Sequence, residues 1–139
     1  MYVYEFSGLK LFVASVHADD PKKLIKYSEE GFIEPLKRGS IATPRHGFYI
    51  AYKSRLLRNR RIKLPNSVAL CLVAGTTQIS DALKIVGASP GLVQVIGVGD
   101  RELEEIDKRP SEEEIRQIHG TSDERALFEK AAITALNLY

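Results

Sequence analysis

MYVYEFSGLKLFVASV, residues 1–16, is the stretch on which the fold turns. From Met1 to Phe6 the side chains alternate, with Tyr2, Tyr4 and Phe6 on one face and Val3 and Glu5 on the other. Leu9 to Val16 is a second β-branched and aromatic run, and Ser7-Gly8 between them is a tight-turn dipeptide. Two such runs about a glycine-containing pair predict a β-hairpin.

Working outward, Asp19-Asp20-Pro21 predicts a helix start, because an acid can cap free N–H groups and proline fits the first helical position. That helix should fade near Gly31. Gly31 to Pro44, with two prolines and no periodicity, reads as loop. From Arg45 to about Arg60 the period is helical, with Phe48, Ala51, Tyr52, Arg55 and Leu56 as the apolar stripe. Val68 to Ala74 is apolar on every side and is expected to be a buried helix. Thr76 or Thr77 is the expected cap of the next helix, striped by Ile79, Ala82, Leu83 and Val86 and stopped by Gly87 in a left-handed conformation. Leu92 to Val98 is a third strand. Ser111 and Glu114 have the spacing of a capping box for a helix reaching His119. After Gly120, Thr121 or Ser122 should recap the chain, and Leu127, Phe128, Ala131, Ala135 and Leu138 stripe a terminal helix. The expected architecture is a single α+β domain over residues 1–139, an antiparallel sheet with helices packed mainly on one face.

Composition agrees: 44% hydrophobic and 27% charged residues exclude a disordered or collagen-like chain. One cysteine, Cys71, can form no internal disulfide, which points to an intracellular, cytoplasmic protein. No apolar run approaches a membrane span, and the N-terminus reads as a strand and not as a signal peptide. Net charge is only +2, but it is unevenly spread. Pro35 to Ser80 contains no acid and nine bases, whereas Asp100 to Arg125 carries ten acids against five bases. Repulsion among nine bases destabilises unless an anion offsets it, so the basic segment is a candidate polyanion-binding surface.

Motifs for catalysis are missing. His17, His46 and His119 are far apart and Cys71 sits in an apolar run, so neither a metal site nor a nucleophile is expected. Gly97-Val98-Gly99 follows a strand, but Glu102 stands where a dinucleotide fingerprint needs its third glycine. Without a cofactor or catalytic constellation, the chain reads as a binding protein and not as an enzyme.

Two segments carry a resemblance: AGTTQISDALKIVGASPGLVQVIGVGD (Ala74–Asp100) and IRQIHGTSDERALFEKAAITAL (Ile115–Leu136). Both resemble the TPRKB (PRPK-binding protein) family, the small terminal subunit of the KEOPS complex, which makes threonylcarbamoyladenosine on tRNA. The likeness departs at Thr77, where archaeal members carry arginine. The resemblance implies a non-catalytic subunit that docks on a small atypical PRPK-type kinase/ATPase and helps hold the tRNA acceptor end, with the threonylcarbamoyltransferase an indirect partner. It places the kinase contact at Thr76, Gln78 and Ile79.

The RNA half of that expectation falls on Arg55, Arg58, Arg60, Arg61 and Lys63 as phosphate contacts and on Tyr49 as a base-stacking platform. Two competing readings are a protein-only interaction module and an enzyme whose site assembles from His17, Arg45, His46 and Tyr49.

Overall fold

The computed structural model describes residues 1–57, 62, 64–100, 103, 105–106 and 109–138. The hairpin forms: β1 (Tyr2–Phe6) pairs antiparallel with β2 (Leu9–Ala18), from Phe6↔Leu9 to Tyr2↔Val13. Ser7 and Gly8 both have positive φ (53° and 78°), the turn whose twist matches the flanking strands. With β3 (Lys26–Tyr27), β4 (Phe32–Lys37) and β5 (Gly91–Val98) these strands form one five-stranded sheet in the order β1-β2-β5-β4-β3. β5, the strand expected at Leu92–Val98, lies at the centre and pairs antiparallel on both sides.

Among the described residues the remaining sequence forms five α-helices: α1 (Pro44–Leu56), α2 (Pro65–Ala74), α3 (Ile79–Val86), α4 (Glu112–His119) and α5 (Glu124–Asn137). The helix side of the sheet presents Leu11, Val13, Phe32, Leu36, Ile96 and Val98. α2 is apolar all round because it packs against α1, α3, α5 and β4 at once. The opposite face carries a second cluster, including Phe12, Val16, Ile33 and Val95, against which Leu24, Ala88 and Leu103 pack; among the described residues no α-helix contributes to it. One-sided helix packing on an antiparallel sheet is the α+β arrangement the hairpin implied. Gln94 of β5 binds the connection between β4 and α1: its Oε1 accepts from Gly39 N (3.0 Å) and Ile41 N (2.9 Å), and its Nε2 donates to Ile41 O (2.9 Å).

Several expectations are corrected. After Asp20 there is one 3-10 turn, Pro21–Leu24, and not a helix to Gly31. The Asp20 side chain makes no cap bond, and Leu24 and Ile25 are adjacent and form no stripe. Within the expected loop Gly31–Pro44 lies β4. Its Pro35 stands beyond the last residue paired with β3 (Ile33), where a missing N–H breaks no ladder on that side. α1 ends at Leu56, short of Arg60, and its stripe is rotated: His46, Gly47, Ile50, Ala51 and Ser54 are buried, while Leu56 is exposed. Gly47 sets that phase, because a Cβ there would lie 2.3 Å from Val13 Cγ2.

Caps also shift by one or two residues. Gln78 is the α3 cap, and Thr76 Oγ1 accepts from its N–H (3.2 Å). Asp123 caps α5, accepting from Arg125 N, with Thr121 Oγ1 accepting from Asp123 N. Gly87 is extended (φ −63°, ψ 134°), not left-handed; a Cβ there would meet Leu83 O at 2.3 Å, so close approach explains the glycine. The Ser111–Glu114 capping box forms as expected.

Candidate functional site

α3 is reached through a sharp bend. α2 ends at Gly75 (φ 78°), whose N–H and that of Thr76 both reach Cys71 O, and the two helix axes meet at 65°. A left-handed C-cap of this kind satisfies an orphan carbonyl at the helix end and redirects the chain. Only Ala82 and Val86 of α3 are then buried. Ile79 and Leu83 flank that pair on one side and Ile85 on the other, 36%, 52% and 37% exposed respectively. Of the expected kinase contacts, Gln78 and Ile79 are exposed and Thr76 is half-buried, so all three stand around the first turn of α3. Leu83 and Ile85 were missed by the sequence reading, which placed Leu83 inside the stripe. The excess of apolar residues over a two-residue buried face was the available signal.

The basic segment is not a bare positive surface. Arg38 Nε donates to Glu114 (2.6 Å), and the guanidinium also reaches Arg109 O (2.6 Å). Arg45 pairs with Glu124 (2.5 Å), whose other oxygen accepts from the Thr43 hydroxyl at the N-cap of α1. The fold thus lays Glu114 and Glu124, in the first turns of α4 and α5, beside the start of the basic segment. Arg55 is half-buried, with Nη2 donating to Glu29 O (3.0 Å) and Nε buried without a partner. Arg58, Arg60, Arg61 and Lys63 lie outside the described residues.

Tyr49 belongs to a larger feature. Tyr4 and Phe6 of β1, Phe48, Tyr49 and Tyr52 of α1, and Phe128 of α5 line one open groove of about 480 Å³, with Arg45 on its wall. More than half of the chain's eleven aromatic residues gather there, too many for incidental exposure. The rings hold one another edge-on or tilted: Phe6–Tyr52 at 5.0 Å, Tyr49–Phe128 at 5.3 Å, Tyr4–Phe48 at 5.7 Å. Such contacts contribute about 0.5–1.5 kcal/mol each beyond burial. Tyr49 is therefore half-buried in the groove wall and not a free-standing platform, and Tyr52 shares the site.

The scattered-site residues do not converge. His46 is sealed in the core, Nδ1 accepting from Ala42 N (3.2 Å), and burial together with nearby His119 and Lys130 holds its pKa down to about 3. His119 bridges Ser40 O (2.8 Å) and Lys130 Nζ (3.0 Å), and burial lowers the pKa of both. These imidazoles stay neutral and tie the β4–α1 connection to α4 and α5. His17 is exposed near the end of β2, beside Asp19 (3.8 Å). Cys71 is buried, and burial raises its thiol pKa. Among the described residues no group of three or more His, Cys, Asp or Glu could hold a metal ion.

No protein-family model matches the chain, and no curated protein matches it significantly.

Proposed function

We propose that this chain is a non-catalytic, KEOPS-type binding subunit that docks on a small atypical PRPK-type kinase/ATPase and helps recruit tRNA for threonylcarbamoyladenosine modification in the cytoplasm. The observation that carries the docking half is the apolar flank of α3. A solvent-facing helix ordinarily turns polar residues outward, yet Ile79, Leu83 and Ile85 stand exposed beside the capped turn that the family likeness marks as the kinase contact. The RNA half is supported by the acid-free segment, with Arg45 and Tyr49 sharing a groove wall and Arg55 farther along α1.

The test is co-migration on gel filtration with the candidate kinase. Ile79→Glu should abolish the complex while moving the thermal midpoint little, because the side chain already meets water. A folded Ile79→Glu protein that still co-migrates would refute docking through α3.

A protein-only module is the second reading, favoured by the pairing of Arg38 and Arg45 with Glu114 and Glu124, which offsets two of the nine bases of the acid-free segment. tRNA titration in a salt series separates the two. Arg58→Ala/Arg60→Ala/Arg61→Ala should flatten the slope of log affinity against log salt by roughly two to three. An unchanged slope and affinity in the folded triple variant would leave the protein-only module.

A further inference from the structure

The two edges of the sheet are finished differently. β3 is two residues long and carries a lysine, Lys26, and the part of β4 that it leaves uncovered holds Pro35 and is met by a bridge from Gly87 to Leu36. Short edges, lysine and proline are the usual means of discouraging strand addition. β1 has none of these. Its five residues, YVYEF, contain no proline, glycine or lysine, and its register on β2 runs from Phe6↔Leu9 to Tyr2↔Val13 without a bulge. Every residue of β1 is exposed, and among the described residues no strand pairs with its outer side. Beyond Tyr2, the row along β2 is continued by the Val16↔Glu105 bridge, so among the described residues the outer edge of β1 is the side left unpaired.

We propose that β1 is a self-association edge: two copies pair antiparallel through Tyr2–Phe6 about a two-fold axis at Tyr4, joining two five-stranded sheets into one. The sequence of β1 fits its own copy. In that register Tyr2 lies opposite Phe6 of the second copy, Val3 opposite Glu5, and Tyr4 opposite Tyr4, so no like charges face each other directly. Glu5, the one charged residue in the strand, has Lys10 of β2 at 4.0 Å on its own sheet. A two-fold normal to the sheet keeps Tyr2, Tyr4 and Phe6 of both copies on the helix side, continuous with the groove that Tyr4 and Phe6 already line. α1 meets that row from above through Phe48 on Tyr4 and Tyr52 on Phe6 and leaves the groove between them open. Pairing would cover Tyr2, Val3, Tyr4 and Phe6, which stand 37–54% exposed in a single copy.

Sedimentation equilibrium of the full chain at high micromolar concentration should give a dimer. Tyr4→Lys, which sets two ammonium groups face to face on the axis, should return it to monomer. Because Tyr4 also touches Phe48, a second variant makes the test independent of that packing. Tyr4→Cys should cross-link to a covalent dimer under mild oxidation, whereas Leu136→Cys on the exposed side of α5 should not. The native Cys71 is 0% exposed and gives no background. A monomeric wild-type chain overturns the proposal, including the case where β1 instead accepts an extended peptide of another protein. A dimer in which Tyr4→Cys fails to cross-link overturns it equally.

Discussion

Two polar sites are sealed beneath the helices, and they are built in opposite ways. Around His46 the groups are tied together: Ala42 N–H meets Nδ1, and neighbouring His119 spans Ser40 O and Lys130. Around Glu34 the accounting does not close. This carboxyl, 5% exposed on β4, lies with Asn66 at the start of α2, and burial pushes its pKa up to about 8. Asn66 Nδ2 is occupied by Ile33 O (2.8 Å) and Lys26 O (3.3 Å), while its Oδ1 is buried without a partner. Burial favours the protonated Glu34, against a hydrogen bond from Asn66 that favours the ionised form. A satisfied network holds its geometry while its members stay neutral, whereas a buried carboxyl beside an orphan oxygen is sensitive to its proton.

The largest expected effect follows from titrating both sites. Glu34 has a folded pKa above its unfolded value of 4.5, so the stability it leaves intact at low pH is lost as pH rises toward about 8. His46 has a folded pKa below its unfolded 6.5, so stability is lost as pH falls toward about 3. The two slopes cancel between them. From these groups alone, chemical denaturation should show a plateau between about pH 4.5 and 6.5, with stability falling on either side by roughly 1.4 kcal/mol per pH unit. Glu34→Gln should erase the alkaline limb, a gain on the order of 5 kcal/mol at pH 9. A profile for Glu34→Gln parallel to wild type would show that the carboxyl is ionised in the fold.

A smaller effect is expected from Asn66→Ala. It strips the donor from two carbonyls and should cost about 1–3 kcal/mol in urea unfolding at pH 6. It should also alter the alkaline limb, which a mutation in the histidine network would leave alone. His46→Gln should cost about 1–2 kcal/mol at pH 7 yet flatten the acid limb, so that the variant gains on wild type below about pH 5. Least of all, Lys130→Met should raise the pKa of His119, read by NMR titration, by removing the cation at its Nδ1. An unmoved His119 would mean that burial alone holds it down.

What the sequence made legible were features encoded locally. The hairpin needs only alternation and a turn pair, the Ser111–Glu114 box needs only its spacing, and Val68–Ala74 can only be buried. Features decided at a distance were missed. β4 reads as loop because the harmlessness of Pro35 depends on where β3 stops. The α1 stripe rotates because Gly47 must approach Val13, a residue more than thirty positions away. The candidate site divides in the same way. The existence of α3 was legible from its spacing, though its cap and its exposed flank were not, and the ion pairs from Arg38 to Glu114 and from Arg45 to Glu124 join residues 76 and 79 positions apart. No periodicity reports a pair of that separation, so charge counts along the chain overstated the free positive surface.

Gln94 has a consequence for how the molecule opens. Amides in connections usually exchange with solvent hydrogen through small local fluctuations, while those of central strands wait for larger openings. The N–H groups of Gly39 and Ile41 sit in a connection but are clamped by a side chain rooted in β5. They should therefore exchange on the timescale of the sheet centre, and Gln94→Ala should release both without touching any strand ladder. By this measure the link between β4 and α1 belongs to the slowest-opening unit of the protein, and the start of α1, with Arg45 and the groove it borders, inherits that rigidity.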